Sequence, residues 1–273
     1  MAMKLPKLQS VDSTRPKKKK ILLLSDDLRM SSGVGTMSKE IVMGTIDKYD
    51  WVQIAGAIKH PEEGKAIDMN QTMIEETGVT DAYLKIYPTS GYGNPDLLRE
   101  VMRIENIDAI LHYTDPRFWG WLYQMEHELR RTTPIFYYNI WDDLPYPRWN
   151  EPFYESCDLI MNISKQTVNI VDNVCQIKPR TDWDNTYIPH GINENNFYPI
   201  DNSHKDWGDL LQFKRNVTNG KDYKYIVFWN NRNIRRKLPG DVIMAYKHFC
   251  DMLPKEEAEK CALIMHTQPR DEN

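Results

Sequence analysis

From Lys20 onward, short apolar runs alternate with stretches whose apolar residues recur every three or four positions. That alternation predicts a mostly parallel sheet joined by crossover helices. Lys20–Ser25 reads as the first strand, and a loop from Asp26 to Ser32 leads into a helix from about Val34. Val34, Met37, Ile41 and Val42 fall on one stripe of that helix. Further strands are predicted at Trp51–Ile58, Asp81–Tyr87, Ile107–Tyr113, Ile135–Ile140, Leu159–Ile163 and Asn185–Ile188. Asn94-Pro95 supplies the cap and first turn of a helix running to Ile104, and Ser164 caps another through Val174. The repetition is that of a doubly wound α/β domain.

Between Gly191 and Gly220 the periodicity gives way to a polar stretch rich in Asn and Asp, with Pro199 and Trp207 inside it. A second βαβ run follows: a strand over Tyr223–Trp229, a helix from about Pro239 to Met252 and a strand over Cys261–His266. The expected layout is a polar basic lead-in over 1–19, a Rossmann-like domain over 20–200, a linker over 201–222 and the start of a second Rossmann-like domain over 223–273. One helix between two strands cannot cover both faces of a parallel sheet. The second domain is therefore expected to be incomplete, the chain being a fragment or a second polypeptide supplying the rest.

Composition narrows the partners. With 41% hydrophobic and 27% charged residues the chain can bury a core, which excludes a disordered segment. A net charge of -4 argues against wrapping nucleic acid on a broadly basic face. The run Lys17-Lys18-Lys19-Lys20 leads straight into Ile21-Leu22-Leu23-Leu24 and reads as a solvated entry to the first strand. Cys157, Cys175, Cys250 and Cys261 form no C-x-x-C pair, so reduced, mostly buried thiols and a cytoplasmic location are expected. No stretch approaches the roughly 20 apolar residues of a membrane span.

Three constellations carry chemistry. Ser31-Ser32-Gly33-Val34-Gly35-Thr36 lies between a predicted strand and helix, where glycines admit a phosphate to the backbone and the helix start favours an anion. The same residues also read as a tight turn. A dinucleotide site would need a third glycine, where Ser38 stands, and an acid after the second strand, where Ala55-Gly56-Ala57-Ile58 has none. Asn230-Asn231-Arg232-Asn233-Ile234-Arg235-Arg236-Lys237 sets four cations at the carboxyl end of a predicted strand, which suits a diphosphate, or else forms a solvated basic loop. His112-Tyr113-Thr114-Asp115-Pro116 and Asn139-Ile140-Trp141-Asp142-Asp143 should open on the same sheet edge as the Gly33 turn. Asp115 can equally cap a helix starting near Pro116, and Asp142 or Asp143 can belong to a Pro-rich surface turn.

The combination resembles the retaining GT-B glycosyltransferases of the glycosyl transferases group 1 (family 4) class, over most of the chain from Lys20. Its most specific part is Cys157-Asp158-Leu159-Ile160-Met161-Asn162-Ile163-Ser164 followed by Ile188-Pro189-His190-Gly191-Ile192-Asn193 and the later Phe197-Tyr198-Pro199. The resemblance implies a nucleotide-diphosphate sugar donor held in a cleft between two Rossmann-like domains, the first on the acceptor side and the second binding donor. Gly33 and Gly35 match the loop against the donor phosphates and the acceptor, and Arg232 and Lys237 the pair that neutralises the departing diphosphate. His112, Asp115 and Asp142 are the candidate catalytic residues, contacting acceptor or sugar. No metal and no cofactor beyond the donor substrate is implied. The sequence departs from the pattern at Thr114, where the family often has a second His, at Asn139 or Trp141, at Asn231 for Gly, and at Leu238. The family's Glu-x7-Glu segment falls past Asn273, so the chain alone is expected to bind donor weakly or not at all. The rival reading is a non-catalytic binding or assembly subunit that pairs with another chain.

Overall fold

The computed structural model describes residues 17–175 and 184–270, so residues 1–16 of the lead-in lie outside it. The chain falls into two compact units, Met1–Gly191 and Ile192–Asn273. The first unit opens with β1 (Lys19–Asp26), α1 (Gly33–Met43), β2 (Tyr49–Gly56), β3 (Ile67–Asp68), α2 (Asn70–Thr77), β4 (Leu84–Pro88) and α3 (Pro95–Glu105). It continues with β5 (Ala109–Tyr113), α4 (Gly120–Gln124), α5 (Glu126–Leu129), β6 (Ile135–Asn139), α6 (Glu151–Glu155), β7 (Leu159–Asn162), α7 (Lys165–Val174) and β8 (Asp184–Tyr187).

These strands form one eight-stranded sheet in the order β3-β4-β2-β1-β5-β6-β7-β8, parallel throughout except between β3 and β4. Apart from β3 the order is doubly wound and reverses between β1 and β5. Both faces are covered around β1, which is why Leu22, Leu23 and Leu24 are all fully buried. Leu22 and Leu24 enter a core with Val52, Ile54 and Ile110, while Leu23 enters the opposite one with Trp51, Leu111 and Val42. Each such leucine contributes about 1.5–3 kcal/mol through burial.

The second unit comprises α8 (Trp207–Val217), β9 (Tyr225–Asn230), α9 (Pro239–Asp251), α10 (Lys255–Ala258) and β10 (Cys261–His266). β9 and β10 pair in parallel from Tyr225↔Cys261 to Asn230↔His266. The stretch 201–222, expected as linker, thus contains a helix. Leu210, Phe213 and Val217 recur along α8 at helical spacing but remain exposed, so its apolar signal is sparse. No helix among the described residues is long and apolar enough to cross a membrane. All four cysteines are free thiols, with Cys157 and Cys261 buried.

Candidate functional site

The parallel order brings the carboxyl ends of β1, β5 and β6 to one edge, with Ser25 beside Tyr113 and His112 beside Tyr137. Gln53 of β2 fixes the loop that leaves β1. Its Nε2 donates to Ser25 Oγ and to the Asp26 carbonyl, both at 2.8 Å, and its Oε1 accepts from the Leu28 amide at 3.2 Å. Buried Asp27 accepts from His60 Nε2 at 2.8 Å and from Arg29 Nη2 at 2.7 Å, and Arg29 reaches on to Glu62 at 2.9 Å. Burial pushes the Asp27 carboxyl up, but the bonds from Arg29 and His60 outweigh it and hold the group below its ordinary value.

Ser32 caps α1 by accepting the Gly35 amide at 3.0 Å. Gly33 is the first residue of that helix; it is exposed, and a Cβ there would meet nothing within 4 Å. Gly35 is buried, and a Cβ would stand 2.7 Å from the Met30 carbonyl oxygen and 2.8 Å from that of Asp27. Of the two glycines, Gly33 leaves open space where a ligand can approach, whereas Gly35 is demanded by the turn's own backbone.

His112 is fully buried, shares a 2.6 Å hydrogen bond between Nδ1 and the Tyr123 hydroxyl, and stacks on Tyr137 at 5.0 Å. Burial, only partly opposed by the Asp115 charge, lowers its pKa to about 3, so the ring is neutral. Its Nε2 has no partner, and neither has Trp119 Nε1 in the ring 5.6 Å away. Asp115 caps the turn Pro116–Trp119 by accepting the Arg117 amide, and its carboxylate takes Arg117 Nε and Nη2 at 2.9 and 2.5 Å. Burial raises Asp115, yet the Arg117 bonds hold it below its ordinary value. Arg117 lies 5.2 Å over the Trp141 ring, which links the β5 and β6 loops. Asp142 is exposed in the latter loop, and its carbonyl accepts from Gln166.

Asp26, at the last position of β1, was missed as a site residue in the sequence. One of its carboxylate oxygens is buried without a partner, and burial raises its pKa. A doublet of acids closing an apolar strand was the available signal. His60 was also missed, because nothing local announces its pairing with Asp27, 33 positions away. His190 packs against Tyr138 at 5.3 Å and Tyr113 at 6.1 Å, and burial lowers its pKa.

In the second unit Arg232 and Lys237 share the loop between β9 and α9, where Arg235–Lys237 form a 3-10 turn. Leu238 follows in the left-handed region at φ 46° and turns the chain into Pro239. Among the described residues, Arg232, Arg235, Arg236 and Lys237 take no ion pair, unlike the cations at the first unit's edge.

No protein-family model matches the chain, and no curated protein matches it. Among solved structures, the N-terminal domain of trehalose-6-phosphate phosphatase from Candida albicans is similar with a TM-score of 0.55 and 14% identity, over 95% of this chain and 66% of that one. UGT71G1 of Medicago truncatula, complexed with UDP-glucose, is similar with a TM-score of 0.43 and 8% identity, over 92% of this chain and 72% of that one. At such identity the first likeness bears on fold alone. The fold is α/β and GT-B-like in its succession of parts, a doubly wound unit followed along the chain by a second parallel unit.

Proposed function

We propose that the chain belongs to a glycosyltransferase that moves a sugar from a nucleotide-diphosphate sugar to an acceptor in the cytoplasm, with retention as in the family 4 class. The observation that carries this reading is the cation loop after β9. Four basic side chains in the loop at the carboxyl end of a parallel strand have no carboxylate paired to them among the described residues, and a diphosphate would satisfy them. Neutralising charge on a departing diphosphate lowers the barrier to sugar transfer without any metal. The first unit supports the reading by contrast. Its edge carries Asp26, Asp142 and Asp143, to which no cation is paired among the described residues, so it favours a hydroxyl-bearing acceptor over a phosphate. Within this unit, Gly33 at the start of α1 leaves the open space that the family 4 resemblance gives to the donor phosphates.

The test is calorimetric titration with UDP, GDP and their sugars. Saturable binding of one nucleotide is expected, and Arg232→Ala and Lys237→Ala should each weaken it about tenfold, the worth of one charge-assisted contact. Equal binding by both variants and the parent would remove the diphosphate assignment. Where turnover is measured, an inverted anomeric product by NMR would remove the family 4 assignment while leaving transfer intact.

The binding or assembly subunit stays as a second reading because an apolar groove of about 410 Å³ lies open beside α1, lined by Met37, Ile41, Trp51, Leu111, Phe136 and Met161. A stable heteromeric complex without nucleotide binding would favour it.

A further inference from the structure

The edge where β1, β5 and β6 end carries an aromatic rim that the diphosphate reading does not use. Tyr92 and Phe118 stack in parallel at 4.8 Å, and Trp149 meets Trp141 edge-on at 6.2 Å. Rings of this size are normally drawn inward, yet Phe118 is 54% and Trp149 57% exposed. They are nonetheless held in place. Phe118 lies in the turn capped by Asp115, and the Arg117 guanidinium that closes on Asp115 also covers Trp141.

Beneath the rim, polar atoms lack partners. Trp119 packs edge-on against Tyr92 and at a tilt against His112, each at 5.6 Å. Trp119 Nε1, His112 Nε2 and one oxygen of Asp26 are all buried with no hydrogen bond. Asp26 ends β1 next to β5 and is partly exposed, so it is the member of this group that a ligand meets. Its charge and that of Asp115 both act on the Tyr92 hydroxyl. The demand a ligand can meet is that of the partly exposed Asp26 carboxyl, which needs donors. A hydroxyl supplies them, and a pyranose adds apolar C–H faces that suit exposed rings.

Charge selects further. Arg117, a cation of the rim, is committed to Asp115, while Asp142 and Asp143 add negative charge with no ion pair among the described residues. A polyanion such as single-stranded nucleic acid, which also stacks on aromatic rings, meets repulsion here instead of the basic groove it needs.

We infer that this edge holds a neutral saccharide, its rings stacked on Phe118 and Trp149 and its hydroxyls donating to Asp26. As the acceptor of the transfer, this assignment rests on the proposed function; as a binding site, it is measured without donor.

The experiment titrates the full chain with neutral gluco-, manno- and galacto-configured hexasaccharides, with a poly-dT oligonucleotide, and separately with UDP and GDP. One saccharide configuration is expected to bind. Phe118→Ala, Trp149→Ala and Asp26→Asn should each weaken it about tenfold, leaving thermal unfolding and nucleotide binding unchanged. No binding by any hexasaccharide, preference for the oligonucleotide, or saccharide binding indifferent to Phe118→Ala and Trp149→Ala would each overturn the inference. Saccharide binding without nucleotide binding overturns the transferase reading alone, and nucleotide binding without saccharide binding overturns this inference alone.

Discussion

Glu105, at the end of α3, is nearly inaccessible and accepts from Tyr83 and Tyr87 at 2.6 Å, from Lys20 at 3.0 Å and from Lys85 at 3.2 Å. Burial alone would raise its pKa, but these four donors lower it to about 2. Because the folded-state value is depressed, the carboxylate stabilises the fold fully above its ordinary value of 4.5 and loses that contribution as pH falls toward 2. Glu105→Ala should therefore cost on the order of 3 kcal/mol at neutral pH, by leaving Lys20 and Lys85 unpaired. Urea unfolding at pH 7 and pH 3 should show the gap between parent and variant narrowing in acid. The lysine run is thereby clarified: Lys18 pairs with Asp81, Lys19 with Asp108 and Lys20 with Glu105, so it anchors β1 more than it solvates it. The two glycines of the first turn should also separate. Gly35→Ala drives a Cβ into two carbonyl oxygens and should destabilise by about 1–3 kcal/mol, whereas Gly33→Ala meets open space and should gain a few tenths, both read as shifts in melting temperature.

At the scale of elements, the strands were legible because a parallel strand covered on both faces is a continuous apolar run, as Ile21–Leu24 shows. Helices with strong caps were equally legible. Asn94 accepts from the Asp96 and Leu97 amides at 3.0 Å, and Ser164 accepts from Thr167 at 3.0 Å. Ser164→Ala should cost about 1 kcal/mol in chemical denaturation through loss of that cap. α2 escaped because Met73 is the one buried residue among its eight positions, and β3 because two residues pairing antiparallel carry no period. In α8 a polar sequence hides three apolar residues that no neighbour buries.

At the scale of the whole chain, the two units differ in how much they bury. The first has a core on each face of its sheet. Among the described residues of the second, Thr218 and Cys261 are the buried ones, and Tyr225, Val227 and Phe228 of β9 stay exposed. Expressed separately, residues 1–191 should unfold cooperatively on heating, while residues 192–273 should give no sharp transition by circular dichroism, because so little apolar area leaves water. A cooperative transition in the shorter piece would show that its two strands and helices suffice.

The sequence by itself determined nine of the ten strands, β3 excepted, the four helices α1, α3, α7 and α9, the caps of α3 and α7, the segments that carry Gly33, Asp115, Asp142, Arg232 and Lys237, and the absence of an acid after the second strand. These are local properties, written in periods of a few residues and in turn chemistry. Only the tertiary structure decided that β1 lies between β2 and β5, that His112 is sealed against Tyr137 and Tyr123, that Arg117 neutralises Asp115, and that Asp26 keeps an unpartnered oxygen beside an open aromatic rim. Strand partners and burial are set by contacts between residues far apart along the chain, and those contacts determine whether a histidine or a carboxylate is buried, paired or left facing a ligand.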